Sequence, residues 1–264
     1  MGTSRTGFAA LATLHYQLSH FHDQAIELDA GDVGWLDGNM AAPLGGVLRL
    51  ATDRGNTISF VRLGDRVMRV LSCSGFLPTP AVDYFHTSIP FKRFDRSESV
   101  AFAEYTEQQM QDRGIPKLSK QLRAKFLEGL DEIFSNAVIH SKSAIGVFCC
   151  GQAYPKSAKI KFTISDCGIG IRRSLLENRG LNKTADQAIE WAMSEAATSR
   201  SGDVPGGLGL KILREFIEMK GGEIQIVSET GYWHLSQRTV TTHQNFRPYP
   251  GTIVSIQITH QSAS

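Results

Sequence analysis

The chain has 264 residues, 41% hydrophobic and 20% charged, with a formal net charge of +2. That length predicts two modest domains or one large one, and the composition excludes a disordered chain. The near-balanced charge offers no electrostatic case for a nucleic-acid partner, and no apolar run, Ala144 to Cys150 included, is long enough to cross a bilayer.

The first third alternates strand-like and helix-like patterns. Gln24 to Asp29 has short-strand alternation. Met40 to Ala51 is apolar at helical spacing, with Pro43 in its first turn, where a missing N–H costs little. After the turn signal Asp53-Arg54-Gly55, Asn56 to Val61 reads as a β-branched strand. Asp65 to Cys73 follows as an amphipathic helix with Val67, Val70 and Leu71 on one face. This order predicts a small α/β layer. Pro78 and Pro80 mark a break, Lys92 to Ser99 reads as polar surface, and the domain boundary is expected near residue 90.

The second half opens with helical stretches over Val100 to Arg113 and Ser119 to His140, separated by Gly114-Ile115-Pro116. Strand patterns follow at Ile145–Cys150, Lys159–Ser165, Glu223–Ser228 and Thr252–Thr259, with helical propensity at Ala185–Ala197 and Lys211–Met219. Cys73, Cys149, Cys150 and Cys167 have no CxxC spacing and no His partner pattern, so they read as reduced, buried thiols. The N-terminus lacks a basic segment followed by an apolar run, which predicts a cytoplasmic protein.

Three segments carry chemistry. Glu128, Glu132, Asn136 and His140 recur every four residues and share one helix face. Such a stripe can be a solvated face. It is also what Mg-nucleotide chemistry uses: an Asn amide oxygen as a hard neutral ligand, and a carboxylate one turn earlier to activate a hydroxyl or water. Asp166-Cys167-Gly168-Ile169-Gly170 follows a strand, and suits either a tight turn or an acceptor carboxylate beside backbone that approaches a flat ligand closely. Gly206-Gly207-Leu208-Gly209-Leu210 runs into a helix, where backbone N–H groups and the helix dipole favour phosphate. No Gly-Lys-Ser/Thr follows, so it is not a P-loop.

In this order, the three segments resemble the N, G1 and G2 boxes of the GHKL ATPases, and Asn136-Ala137-Val138-Ile139-His140 especially resembles the histidine-kinase and anti-sigma-factor-kinase branch. Pro250-Gly251-Thr252-Ile253-Val254 is similar to the strand that closes that domain. The resemblance covers roughly residues 100–260 and implies an α/β sandwich holding Mg-ATP, with a mobile lid over residues 172–205. It implies that Asn136 binds Mg²⁺, that Asp166 binds adenine, and that Gly168, Gly170, Gly207, Leu208 and Gly209 shape the pocket. Glu132 is then the general base if there is turnover. Ser199, Arg200 and Lys211 are either phosphate contacts or solvated residues, and His140 reads as a helix-face residue and not a phosphoacceptor.

Residues 10–80, from Ile26-Glu27-Leu28-Asp29 through Val33 to Met40 and the elements that follow, resemble a STAS domain. Where that family carries a phosphorylatable Ser or Thr, this chain has Asp37-Gly38-Asn39, which argues against a phosphoswitch there. The alternative is a generic α/β module whose Asp37 and Asn39 cap the next helix. The resulting expectation is α/β throughout: a STAS-like partner-binding domain at residues 1–90 and a GHKL domain at 91–264. Such a protein is a cytosolic ATPase or serine/threonine-protein-kinase-like regulator using ATP and Mg²⁺. The alternative is a nucleotide-dependent binding switch without turnover. A protein partner of STAS, sigma-factor or response-regulator type is expected, with a homodimer left open and no membrane involved.

Overall fold

The structure, a computed structural model, describes residues 1–111, 119–194, 214, 217 and 222–259. Helix α1 (Arg5–Leu18) begins at Ser4, whose hydroxyl accepts from the Gly7 N–H, and buries Phe8, Leu11, Ala12 and Leu18 along one stripe. Strand β1 (Ala25–Asp29) lies parallel to β2 (Thr57–Val61), with Ala25 opposite Thr57 and Asp29 opposite Val61. Helix α2 (Ala41–Thr52) provides the crossover that parallel strands require, and α3 (Asp65–Cys73) follows β2.

A five-stranded antiparallel sheet, in the order β3-β4-β5-β7-β6, forms the centre. Its strands are β3 (Ser88–Phe94), β4 (Val147–Tyr154), β5 (Lys159–Asp166), β6 (Glu223–Ser236) and β7 (Thr239–Thr259). Strand β3 lies where the sequence pattern predicts a break and polar surface, and residue 90 falls within it. Its alternation is hidden by Pro90, which sits on an edge strand at a register shift between Ile89 and Lys92, a position where its missing N–H breaks no ladder bond. The β6–β7 hairpin is far longer than Glu223–Ser228 and Thr252–Thr259. It turns over Gln237 and Arg238, both at positive φ, as a two-residue hairpin loop requires.

Side-chain alternation along the sheet feeds two cores. Cys149, Ile164 and Val254 point toward α4 (Ser99–Gln109) and α5 (Lys120–His140), where Phe94, Phe102, Phe126 and Phe134 are buried. Phe148, Cys150 and Ile253 point the opposite way, into a core shared with Phe8, Leu11, Met40, Val47 and Leu71 of the N-terminal elements. The sheet is therefore sandwiched between the α4–α5 layer and the N-terminal module. This arrangement buries Cys149 and Cys150 completely; all four cysteines are free thiols. No helix among the described residues is long and apolar enough to cross a membrane.

The loop before α2 is not a helix cap. The Asp37 side chain makes no capping bond, and Met40 occupies the position before α2 without one. Asn39, fully buried, instead donates to Thr163 Oγ1 and Ser255 Oγ of β5 and β7 at 2.8 and 3.2 Å. Asp37 reaches Lys161 Nζ of β5 at 2.8 Å. Both polar side chains thus pin the module to the sheet.

Candidate functional site

Helix α5 brings Glu132, Asn136 and His140 to successive turns of one face, beside Ile133, Phe134 and Ala137, which pack on the sheet. The Asn136 amide nitrogen donates to Glu132 Oε1 at 3.2 Å, so the amide oxygen is left as the acceptor of the pair. At the end of β5, Asp166 is buried and stands in register with Thr252 of β7. Asn136, His140, Asp166 and Thr252 line one cavity of about 210 Å³, with Ser141, Ser174, Asn178 and Arg179 as its other polar residues and mostly apolar walls that include Ile133, Ile164, Ile226 and Val254.

The loop after Asp166 is shaped by backbone proximity. The Gly168 N–H donates to Asp166 Oδ1 at 2.9 Å, and the Ile169 N–H donates to the Ser141 carbonyl oxygen at 2.7 Å. A Cβ on Gly168 would lie 1.9 Å from that same oxygen, so only glycine lets the loop pack on the end of α5. Gly170, at φ +76°, adopts a backbone conformation that other residues resist as the chain turns into α6 (Gly170–Arg179). Gly168→Ala is expected to cost about 1–3 kcal/mol of stability and to remove nucleotide binding, as checked by thermal melts and calorimetric titration. Wild-type affinity in a folded variant would contradict this account of the loop.

Burial pushes the Asp166 carboxyl up to about 7, and the hydrogen bonds from Gly168 and Thr252 offset only part of that shift. A buried carboxyl on an apolar wall is costly unless something binds it. The cavity therefore suits a flat heterocycle whose amino group donates to Asp166 while its faces meet aliphatic side chains. An amide oxygen beside a carboxylate is the hard, oxygen-only donor set that Mg²⁺ takes together with water and phosphate. The residues present fit both groups.

Glu132, Asn136, Asp166, Gly168 and Gly170 thus come together from α5, β5 and the following loop. Gly207, Leu208 and Gly209 lie outside the described residues, as do Ser199, Arg200 and Lys211. The segment expected to be a lid contains most of α6 and all of α7 (Ala185–Ala192), with Leu175, Ala188, Ile189 and Met193 buried; residues 195–205 lie outside the described part. Thr252 and Ser141 were not assigned roles from the sequence. For Thr252 a signal existed in Pro250-Gly251-Thr252; Ser141 acts through its carbonyl, which leaves no trace in residue type.

Residues 123–260, just over half of the chain, match the profile of the family described as histidine kinase-, DNA gyrase B-, and HSP90-like ATPase. No individual curated protein matches the chain. The matched stretch contains α5 from Arg123 onward, the Asp166 loop and every strand of the sheet except β3, the elements that build the cavity, and on that ground the chain belongs to the histidine kinase-, DNA gyrase B-, and HSP90-like ATPase family, whose domains bind ATP.

Proposed function

We propose that the protein is a cytoplasmic, Mg-ATP-dependent regulator of a partner protein, acting as an ATPase or as a protein kinase toward a serine or threonine. The observation that carries this reading is the buried Asp166 carboxyl on the wall of an apolar cavity that also contains Asn136. ATP supplies the transferable phosphoryl group and Mg²⁺ neutralises its charge. Asp166 accepts from the adenine amino group, Asn136 offers its amide oxygen to the metal, and Glu132 takes the proton from an attacking water or hydroxyl. The chain divides, in this reading, into a STAS-like module at residues 1–90 and the ATP-binding domain at 91–264. Its partner is a STAS protein, a sigma factor or a response regulator.

Glu132→Ala should retain ATP binding within about threefold, a loss under 1 kcal/mol, while turnover falls by a factor of about 10²–10⁴, the usual share of a general base. Isothermal titration and a phosphate-release assay separate the two effects. Incubation with labelled ATP and purified STAS proteins tests the kinase version, and hydrolysis without any labelled protein rules it out. A second reading, a binding switch without turnover, draws support from the Glu132 carboxylate, which is held by Asn136 and is not part of the cavity wall. No turnover in the wild-type protein with any partner favours that switch, whereas unchanged turnover in Glu132→Ala removes Glu132 as the general base.

A further inference from the structure

The back of the Asp166 loop rests on the N-terminal module. Helix α2 contains adjacent glycines, Gly45 and Gly46, in mid-helix, where glycine is about 1 kcal/mol worse than alanine. Gly46 is needed there by contact. A Cβ at this position would lie 2.7 Å from Cys167 Sγ and 3.4 Å from the Tyr249 hydroxyl oxygen. Cys167 is the residue between the Asp166 carboxyl and Gly168. Tyr249, 1% exposed, completes the arrangement. Its hydroxyl donates to the Pro43 carbonyl of α2 at 3.3 Å, lies 2.8 Å from Ser165 Oγ beside Asp166, and lies 3.8 Å from Cys167 Sγ.

We infer that Gly46, Cys167 and Tyr249 are positioning residues for the nucleotide: helix α2 of the N-terminal module sets the placement of the Asp166 carboxylate, and thereby the preference for adenine. This inference rests on the ATP reading of the cavity. Its physical basis is the close packing of the site. Buried side chains at van der Waals contact transmit a displacement of a few tenths of an ångström instead of absorbing it. A hydrogen bond to a charged group depends steeply on its geometry. The chain Pro43–Tyr249–Ser165 and the contact Gly46–Cys167 reach the side chains of the two residues on either side of Asp166. Whatever moves α2 therefore moves the adenine acceptor, so a partner bound to the N-terminal module and a nucleotide in the cavity read each other's state reciprocally.

The test uses the full chain and titrates ATP and GTP, with Mg²⁺, into the wild-type protein, Gly46→Ala, the double variant Gly46→Ala/Cys167→Ala, and Tyr249→Phe. Gly46→Ala should weaken ATP about tenfold and lower the ATP-over-GTP preference, as expected for a charged hydrogen bond moved off its optimum. The double variant, which removes the sulfur that the new methyl meets, should regain part of both relative to Gly46→Ala. Tyr249→Phe keeps the ring and cuts the hydroxyl links, so it should lose ATP affinity without steric strain, and it decides the matter if Gly46→Ala does not fold. The nucleotide preference is the readout that a purely structural role would leave unchanged. Wild-type affinity and preference in folded Gly46→Ala or in Tyr249→Phe overturns the inference, as does a loss that Cys167→Ala does not relieve. If the wild-type protein binds neither nucleotide, the ATP reading itself fails and the inference falls with it; wild-type binding with unaffected variants removes the inference alone.

Discussion

Replacing Asp166 by Asn should weaken ATP binding on the order of 100-fold, or about 2–3 kcal/mol, and abolish the preference for adenine over guanine. Two neighbours require an acceptor at this position. The Gly168 N–H already donates to Asp166 Oδ1, and Thr252 adds a second backbone bond. The adenine amino group is also a donor. An Asn amide has only one acceptor oxygen, so either the loop or the base is left facing an N–H.

The same substitution has opposite consequences for the empty protein. Burial holds the Asp166 carboxyl at about 7 against its ordinary 3.8. The folded state therefore binds more protons than the unfolded chain, and the contribution of this group to stability is complete below 3.8 and is lost as the pH rises through about 7. Asp166→Asn removes that dependence, so the nucleotide-free variant should melt higher than wild type at pH 8, a value chosen about one unit above the carboxyl's titration. In the proposed reading adenine binds the carboxylate, so wild-type affinity relative to Asp166→Asn should rise with pH and level off above about 7. Taking the ratio of the two proteins cancels the contributions of the ATP phosphates and of His140, which lines the same cavity. A flat ratio across that range, or a variant that binds ATP as wild type does, would remove Asp166 from adenine recognition.

Lys161→Met should destabilise the fold by about 3 kcal/mol, roughly 6–12 °C in the melting temperature for a chain of this size. Lys161 and Asp37 form the ion pair that ties the sheet to the N-terminal module, at 2.8 Å, with side-chain exposures of 20% and 9%. Removing only the cation leaves a buried carboxylate with hydrogen bonds from Thr3 and the Trp35 indole but no opposite charge. The partial exposure of Lys161 puts the expected loss at the low end of the range for broken buried pairs.

Burial alone pushes the Asp37 carboxyl up, but Lys161, Thr3 and Trp35 together outweigh it and hold the group well below the ordinary carboxylate range. Its stabilising contribution is thus present above that range and disappears on acidification through the folded value. The wild-type protein should lose stability in acid more steeply than Lys161→Met. Adding Asp37→Asn to the variant should recover part of the loss, because no unpaired charge then remains buried. Urea titrations at several pH values measure all three. Equal stability of wild type and Lys161→Met would mean that the pair is solvated and does not hold the layers together.

Local pattern carried much of the secondary structure. The amphipathic repeat of Asp65 to Cys73 matches α3 residue for residue, and β1, β2, α2 and α5 differ from their patterns by one or two positions at an end. What local pattern concealed has specific causes. Helix α1 contributes small and aromatic residues around Phe8 and Leu11, a weak apolar stripe that becomes buried because β7 and α2 cover it. Strand β3 is interrupted by Pro90 and carries Lys92 and Arg93 on an edge. The β6–β7 hairpin is broken in sequence by Gly231, Pro248 and Pro250 and is restored by register shifts at Glu229.

The site divides in the same way. Glu132 and Asn136 share a helix face because they are four residues apart, and the Asp-x-Gly-x-Gly loop carries its own geometry in its glycines. Both are properties of short stretches of chain, so they are legible without a fold. The pairing of Asp166 with Thr252, the packing of Gly168 on the Ser141 carbonyl, and the contact of Gly46 with Cys167 join residues up to 121 positions apart. The same is true of Asn39, which has the residue type of a helix cap but lies 124 and 216 residues from the hydroxyls it binds. By itself, then, the sequence determined the chemistry of an ATP-type site, since that chemistry resides in residue types at helical and turn spacing. Only the tertiary structure decided what stands behind the site: the N-terminal module covers the second face of the sheet, because β4, β6 and β7 turn Phe148, Cys150, Val227, Tyr249 and Ile253 to that face and something in the fold has to bury them, while Lys161, Thr163 and Ser255 supply the polar partners that Asp37 and Asn39 meet there.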